Sequence, residues 1–343
     1  MTLPRRTCCS SSSRCGPPSC SVRFTLEDGD ARMRAAQPFA GVTVTVVVTG
    51  AAGFIGRHLV RALTARGHHV VGIDRRRDVP PGATALTGDL NAVDDEASAT
   101  ALREADAVFH LAAFPGVRAA GPATDLRRRL DNVEAARRVL DRVPLHVPLI
   151  VTSSSSVYGG TTGSRCAEGD TPRPRGGYAA SKLDLERLCA RRVSHGGHVA
   201  VARPFTVAGE GQRPDMAIAM WIEAARAGVP LTILGSEDRI RDITDVNHVV
   251  IGLVRMLDRG IRATVNLGTG RGHRLGDVVA AVSSAVEREV TTVVQPAAAQ
   301  EPYATLADTR RCASLLGFVP HTDLGALLRR QAAATALAAG ASA

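Results

Sequence analysis

The sequence predicts an α/β protein in which helices cover both faces of a doubly wound parallel sheet. Three observations support this fold class. A β-branched apolar run at 43–49 enters a glycine-rich turn, and a helical pattern follows through Arg66. Strand-like runs and helix-like segments then alternate along the chain at the spacing of α/β units. The strand-like runs are continuously apolar, which is typical of parallel strands buried on both faces.

The turn at 50–56 (GAAGFIG) has the glycine spacing of a dinucleotide site. Glycines at this spacing let the backbone turn tightly, approach a pyrophosphate and start a helix whose N-terminus favours the anion. We therefore expect this turn to bind the cofactor through Gly50, Gly53, Phe54, Ile55 and Gly56.

The second predicted strand, at 69–73, ends at Asp74. A carboxylate at this position accepts hydrogen bonds from the ribose diol of the adenosine and repels a 2′-phosphate, so it favours NAD over NADP. The arginines at 75–77 leave NADP open as the alternative, because an arginine here can hold that phosphate.

Further elements extend the predicted sheet, and ligands are expected at the carboxyl ends of its strands. The elements are strands at 107–111, 149–152 and 198–202 and helices at 123–143 and 178–194. The additional cofactor contacts expected along them are Asp89, Leu90, Leu111, Ala112, Ala113 and Asn132.

The chain has a single lysine among its 42 Lys and Arg residues, and this lysine, Lys182, lies four residues after Tyr178. Residues four apart share one face of a helix, so both side chains can point into one site. A compact ammonium group also offers a donor geometry that the planar guanidinium of arginine does not reproduce. This pair therefore predicts a site at the start of helix 178–194.

Length and composition limit the classes of function. The 343 residues suffice for one large α/β domain or two smaller ones, and 45% hydrophobic content indicates a globular protein. No apolar run approaches the roughly 20 residues of a membrane span. The charge of +9 is spread over scattered arginines, and only 3% of residues are aromatic, so we expect no nucleic-acid partner. No metal-ligating pattern is present.

Residues 1–40 are rich in Ser, Pro, Arg and Gly and contain no apolar segment of a signal peptide. The composition predicts a disordered tail, and Met33 is an alternative start. The isolated cysteines Cys166, Cys189 and Cys312 suggest reduced thiols in a cytoplasmic protein.

Taken together, the motifs resemble those of the extended short-chain dehydrogenase/reductases, and specifically the NAD-dependent sugar-nucleotide epimerases. The matching elements are TGAAGFIG at 49–56, Asp74, HLAA at 110–113, SSSSVYG at 153–159 and YAASK at 178–182. The resemblance covers about residues 43–330.

This resemblance implies two domains and a dimer. A Rossmann NAD-binding domain would comprise 41–205 and 240–262, and a smaller sugar-nucleotide domain would comprise 206–239 and 263–333. Residues 334–343 would form a C-terminal tail. Helices 123–143 and 178–194 resemble the pair through which the family forms homodimers.

The resemblance also implies the catalytic residues. Tyr178 would be the general base, with a pKa lowered by Lys182 and by the charge of the nicotinamide, and both residues would also contact NAD. Ser154 would hold the sugar hydroxyl, with Ser155 as the alternative if the register is shifted by one. Related dehydratases and decarboxylases carry an acid beside the catalytic hydroxyl, whereas Ser155 and Ser156 stand here. This difference favours epimerisation over elimination.

Three further stretches resemble those of enzymes acting on UDP-uronic acids. The run at 114–118 (FPGVR) resembles a loop whose arginine, here Arg118, reaches the substrate. The run at 203–217 resembles RFFTVYGPxGRPDMA of the UDP-glucuronate 4-epimerases, in which Thr206 and Arg213 suit a carboxylate. Arg241 matches an arginine that meets the diphosphate, but Ala298 or its neighbours stand where the family often has a second one.

The sequence therefore predicts an NAD-dependent 4-epimerase that interconverts UDP-glucuronate and UDP-galacturonate. The expected substrate contacts are Arg118, Ser154, Ser155, Ser156, Thr206, Arg213 and Arg241. One alternative is a 4-epimerase of neutral UDP-hexoses. Another is a non-catalytic dinucleotide-binding protein, against which the presence of Ser154, Tyr178 and Lys182 argues.

Overall fold

The computed structural model describes residues 41–92, 94–116 and 121–340, without the side chains of 337–340. The predicted tail at 1–40 and the predicted substrate residue Arg118 lie outside the described residues.

Thirteen strands occur in the described part of the chain, and seven of them form one parallel sheet. The strands are β1 (Thr45–Thr49), β2 (His69–Asp74), β3 (Thr84–Thr87), β4 (Ala107–His110), β5 (Leu149–Thr152), β6 (Val199–Pro204), β7 (Val207–Ala208), β8 (Leu231–Leu234), β9 (Ile240–Arg241), β10 (Thr244–Asp245), β11 (Thr264–Leu267), β12 (His273–Arg274) and β13 (Thr292–Gln295). The order in the large sheet is β11-β6-β5-β4-β1-β2-β3, and every neighbouring pair in it is parallel.

The helices of the described residues are α1 (Phe54–Ala65), α2 (Glu96–Glu104), α3 (Pro122–Arg128), α4 (Ala135–Arg142), α5 (Gly176–Ser194), α6 (Ala217–Ala227), α7 (Val246–Asp258), α8 (Leu275–Val286), α9 (Arg310–Leu316) and α10 (Leu324–Gly340). A π-helical turn, Arg129–Glu134, joins α3 to α4, so the helix predicted at 123–143 is continuous but locally widened. A 3₁₀ turn, Ser155–Tyr158, follows β5.

Two apolar layers enclose the large sheet. On one face, α1, α7 and α9 contribute fully buried side chains such as Leu59, Leu253 and Leu316. On the other face, α2, α4 and α5 contribute side chains such as Leu102 and Leu185. Each such side chain removes apolar surface from water and stabilises the fold by about 1.5–3 kcal/mol. The predicted doubly wound fold is confirmed.

A third apolar cluster lies under α6, α8, α10 and β8, with Trp221 and Ile222 among its members. Its position agrees with a smaller lobe in the C-terminal half. Two predicted boundaries need correction, however. Strand β11 pairs with β6 and completes the large sheet, although it was expected in the smaller domain. Helix α10 continues to Gly340, although a tail was expected from residue 334.

Two kinds of feature are absent from the described ranges. No helix there is both long and apolar enough to cross a membrane. No group of three His, Cys, Asp or Glu side chains there is arranged to hold a metal ion.

Candidate active site

A cleft of about 1810 Å³ lies along the carboxyl ends of the central strands. It runs from the glycine turn before α1, past the end of β5 and the start of α5, to the third apolar cluster at Trp221 and Thr232. This is the edge of a doubly wound sheet at which ligands are expected.

The glycine turn at one end of the cleft has room only for glycine. Gly50 has a φ of +72°, and a Cβ on it would lie 2.7 Å from the backbone nitrogen of Ala112. A Cβ on Gly56 would lie 2.0 Å from the carbonyl oxygen of Gly50. Helix α1 begins at Phe54, within this turn, and no side chain caps its N-terminus. Its first N–H groups are therefore available to a pyrophosphate, which fits a dinucleotide.

Asp74 is held at the rim of the cleft by the backbone. Its carboxylate accepts hydrogen bonds from the backbone nitrogens of Ala52 and Arg76, each with a donor–acceptor distance of 3.0 Å. The neighbouring Arg75 donates to Asp131 over 2.6 Å and to Asp89 over 2.9 Å. These hydrogen bonds raise the pKa of the Arg75 guanidinium, the one to Asp131 most. Because two carboxylates of the chain already counter the charge of Arg75, this end of the cleft favours NAD over NADP.

Most of the predicted cofactor residues line the cleft, but Asn132 does not. The lining residues are Gly50, Gly53, Phe54, Ile55, Gly56, Asp74, Asp89, Leu90, Leu111, Ala112, Ala113, Tyr178 and Lys182. The buried amide of Asn132 accepts from the nitrogen of Phe114 over 2.6 Å and donates to Ser181 Oγ over 2.9 Å. Asn132 thus positions a cleft loop against α5, which corrects the expected direct contact.

The predicted catalytic residues converge where β5 ends and α5 begins. Ser154 Oγ accepts a hydrogen bond from the nitrogen of Ser156 over a distance of 3.1 Å. Ser154 is also close enough to Tyr178 to act on the pKa of its phenol. Lys182, one turn further along α5, is buried and donates through Nζ to the carbonyl oxygen of Thr152 over 2.9 Å. The interaction with Tyr178 favours Ser154 over Ser155 as the catalytic hydroxyl.

Burial dominates the ionisation of both Tyr178 and Lys182. It raises the pKa of Tyr178, and this rise is opposed by the interaction with Ser154 and then by the charges of Arg213 and Arg128. Burial also lowers the pKa of Lys182 to about 8. In the protein without cofactor the pKa of Tyr178 thus lies above its usual value. The expected lowering, which includes the charge of the nicotinamide, stays a prediction.

The predicted substrate residues Ser155, Ser156, Thr206, Arg213 and Arg241 line the same cleft. The two arginines have carboxylate partners that the sequence did not reveal. Arg213 binds Asp215 through Nε over 2.9 Å and through Nη2 over 2.5 Å. Arg241 donates through Nη2 to Glu301 over 2.7 Å.

Arg128 is a site residue that the sequence did not predict. It is buried, donates to Asp125 over 2.9 Å and to the carbonyl oxygen of Gly116 over 2.6 Å. A Cβ on Gly177 would lie 2.8 Å from its Nη1. Arg128 therefore joins a cleft loop to the residue before Tyr178. The glycine pair that precedes Tyr178 was the available signal, because glycine often marks a close approach.

A second unpredicted feature is a buried polar network behind Ser154. Glu186 accepts from Ser153 Oγ over 2.5 Å and from Arg203 over 2.6 Å. Arg203 also donates over 2.8 Å to the hydroxyl of Tyr158, which donates to Asn266 over 2.7 Å. The network joins α5 to the ends of β5 and β6, and so fixes the distance between the serine run and the catalytic helix.

Known proteins share this fold and this order of motifs. A family model described as the NAD dependent epimerase/dehydratase family matches residues 46–268. A protein of Bacillus subtilis (strain 168) named as the uncharacterized UDP-glucose epimerase YtcB is 33% identical over 297 residues, which cover 81% of this chain and 94% of that protein.

Two solved structures superpose on most of the chain. MoeE5, solved in complex with UDP-glucose and NAD, is 36% identical with a TM-score of 0.78, over 86% of this chain and 99% of that one. MoeE5 was also solved in complex with UDP-glucuronic acid and NAD. The UDP-glucuronic acid 4-epimerase of Bacillus cereus, in complex with UDP-glucuronic acid and NAD, is 29% identical with a TM-score of 0.79, again over 86% and 99%.

The parallel sheet, the glycine turn and the Ser154–Tyr178–Lys182 site define an extended short-chain dehydrogenase/reductase. Within that class, the chain belongs to the NAD-dependent epimerase/dehydratase family. It is an enzyme, and its cofactor is NAD.

Proposed function

We propose that the protein is a UDP-sugar 4-epimerase whose substrates are UDP-glucuronate and UDP-galacturonate. The observation that carries the choice of a uronate is the position of Arg213. Its guanidinium lines the same cleft as Ser154 and Tyr178. Although burial raises the pKa of Tyr178, the charge of Arg213 opposes this rise, so the two groups are close enough to interact. A cation beside the reacting carbon suits a sugar with a carboxylate next to it.

Ser154 and Tyr178 handle the proton of the sugar's 4-hydroxyl in this proposal. Ser154 Oγ accepts from the nitrogen of Ser156, so its own proton is available to the phenolic oxygen of Tyr178 or to the sugar oxygen. Tyr178 takes the 4-hydroxyl proton and returns it after the sugar has turned over. NAD, when bound, would supply the hydride acceptor and donor that an oxidation and re-reduction at carbon 4 require. The glycine turn and Asp74 are the groups that would hold it.

Arg213 and Thr206 can prevent the decarboxylation of a uronate substrate. Its 4-keto form is a β-keto acid, which loses carbon dioxide when the carboxylate bond aligns with the carbonyl π system. Asp215 occupies Nε and Nη2 of Arg213, whereas Nη1 has no hydrogen-bond partner among the described residues. Nη1 and the Thr206 hydroxyl can then hold the carboxylate near the ketone plane, where the bond is stable.

A second candidate is a 4-epimerase of neutral UDP-hexoses. It is favoured by the bidentate pair of Arg213 with Asp215, because this carboxylate already satisfies one edge of the guanidinium. The relatives do not separate the two candidates, since YtcB is named for UDP-glucose and MoeE5 was solved with both UDP-glucose and UDP-glucuronic acid.

Incubation of the purified protein with UDP-glucuronate and with UDP-galactose, in separate reactions at equal concentration, tests the proposal. Sugar analysis after hydrolysis is expected to find galacturonate in the first reaction and little glucose in the second. Efficient conversion of UDP-galactose without conversion of UDP-glucuronate would select the second candidate.

The proposal includes a homodimer in the cytoplasm. Helices α3 and α5 pack side by side, and they and the π turn leave Leu126, Leu130 and Val193 exposed by 58%, 43% and 39%. Exposed apolar side chains on neighbouring helices suit a subunit interface. The described cysteines are buried and free, which agrees with a reducing compartment. Light scattering on the Leu126→Glu variant and its parent tests the dimer, because a charge at this interface should yield monomers.

A further inference from the structure

The arginines that line the cleft differ in whether a carboxylate of the chain already pairs with them. Six of them form such ion pairs: Arg57, Arg75, Arg76, Arg127, Arg213 and Arg241. Arg175 also lines the cleft, but its side chain has neither an ion pair nor a hydrogen-bond partner among the described residues. It therefore offers a charge that no carboxylate of the described chain counters.

Arg175 stands at the edge of the catalytic site. It is the residue that precedes α5, three positions before Tyr178, and it is exposed. Its Cγ packs over Gly159, where an added Cβ would lie 3.4 Å away. The side chain thus extends from the start of the catalytic helix along the turn that follows the serine run.

A short segment, Gln300-Glu301-Pro302, connects the surroundings of Arg175 to Arg241. A Cβ on Gly176 would lie 3.3 Å from Gln300 Cβ, so this segment packs against the residue after Arg175. On its other side, Glu301 binds Arg241 over 2.7 Å. All of these residues except Gly176 line the cleft, so Arg175 and Arg241 approach one stretch of it from two directions.

This stretch of the cleft needs more positive charge than Arg241 alone provides if it is to bind a nucleoside diphosphate. The diphosphate group of a UDP-sugar carries two negative charges, whereas the charge of Arg241 is already opposed by Glu301. We propose that Arg175 binds the substrate's diphosphate together with Arg241. The charge of Arg175 replaces the charge of Arg241, which Glu301 neutralises. This inference rests on the proposed UDP-sugar substrate and adds a binding residue to it. Guanidinium groups suit phosphate oxygens because they donate in a planar fork.

The test measures binding of UDP, which needs no turnover. Trp221 is the only tryptophan of the chain, and it lines the cleft, so its emission can report ligand binding. We expect Arg175→Gln to weaken UDP binding roughly three- to tenfold at low ionic strength. Added salt should narrow the difference, because an exposed charge is screened. The loss should be equal for UDP-galactose and UDP-glucuronate.

Two matched variants complete the experiment. Arg173→Gln removes an exposed arginine two positions away that does not line the cleft, and it should bind UDP like the parent. Arg175→Lys keeps the charge and should retain most of the affinity.

Unchanged UDP binding in Arg175→Gln would overturn the inference alone. A loss confined to UDP-glucuronate would overturn it too, by assigning Arg175 to the carboxylate. A parent protein that binds no UDP would overturn the proposed substrate class as well.

Discussion

Lys182 donates through Nζ to the carbonyl oxygen of Thr152 over 2.9 Å, and this bond joins the catalytic helix to the end of β5. Thr152 is followed by Ser153 and Ser154, so the lysine helps to set the distance between the catalytic hydroxyl and Tyr178. Lys182 is therefore a positioning group for the serine run in addition to its expected contact with the cofactor.

The Lys182→Arg variant should lose roughly 100-fold or more in turnover, which is the scale of a misplaced acid–base site. Arginine keeps the positive charge, but its planar fork does not fit the buried space of a compact ammonium. Circular dichroism should show an intact fold, and initial rates with the UDP-sugar substrate check the loss. Activity equal to the parent's would show that the lysine is not required.

The Lys182→Met variant should be more stable than the parent at neutral pH. Burial lowers the folded-state pKa of Lys182 to about 8, below its unfolded value of 10.5, so the charged lysine destabilises the fold below pH 8. This difference between the folded and unfolded pKa values corresponds to about 3 kcal/mol of the free energy of unfolding. The gain of the variant is reduced by about 1 kcal/mol, because the methionine cannot make the hydrogen bond to Thr152.

This effect has a distinctive pH dependence. As the pH rises from about 8 towards 10.5, the folded parent has released the proton while the unfolded chain still binds it, so the parent gains stability. Urea denaturation at pH 7 and pH 9.5 should therefore show the gap between variant and parent closing. A gap that widens with pH would contradict the assigned direction.

Tyr178→Phe should reduce turnover by roughly two to four orders of magnitude, because only the proton-carrying oxygen is removed. NAD binding should persist, since the glycine turn and Asp74 are untouched, and calorimetry measures it directly. Tyr303→Phe serves as the matched control, because Tyr303 is 52% exposed and does not line the cleft. A Tyr178→Phe rate within a few-fold of the parent's would mean that another group is the base.

Arg213→Ala separates the uronate from the neutral-hexose candidate. Loss of the guanidinium should cost roughly 2–5 kcal/mol of transition-state binding with UDP-glucuronate, because a desolvated carboxylate loses its partner. Any side activity with UDP-galactose should change much less. Carbon dioxide release and a UDP-pentose product are also expected, since a loosened carboxylate can rotate out of the ketone plane. Unchanged kinetics with UDP-glucuronate would remove the carboxylate role of Arg213.

Glu186→Gln should destabilise the fold by roughly 3–5 kcal/mol, because it leaves the buried charge of Arg203 without its ionic partner. The two side chains are only 10% and 5% exposed. Glu96→Gln breaks an exposed pair with Arg103 and should leave the free energy of unfolding nearly unchanged. Chemical denaturation of both variants gives the comparison, and equal losses would show that burial does not distinguish the pairs.

The sequence was informative where a backbone requirement is local. The glycines at 50 and 56 and the spacing of Tyr178 and Lys182 each follow from a few adjacent residues, and all of them lie in the cleft. It was uninformative about partners distant in sequence. Nothing near Arg241 indicates that Glu301, 60 residues later, binds it.

Asn132 is a second residue whose partners could not be predicted from the local sequence. Its residue type and position suit a cofactor contact, but the fold directs its amide to Phe114 and Ser181. The placement of β11 also depended on pairing over a long separation, since Thr264 aligns with Val201. Such choices are made by packing of the whole chain, which no local pattern encodes.

The π-helical turn directs the side chains of two adjacent residues to different parts of the cleft wall. Asp131 holds Arg75 beside Asp74, whereas Asn132 holds Ser181 on the catalytic helix. In a helix each residue advances the direction by about 100°, so one deleted residue in this turn would rotate α4 by that angle and misdirect both side chains. The adenosine end of the cleft and the catalytic helix are thus spaced by a single stretch of backbone. Its length, more than its composition, is what the enzyme has to preserve.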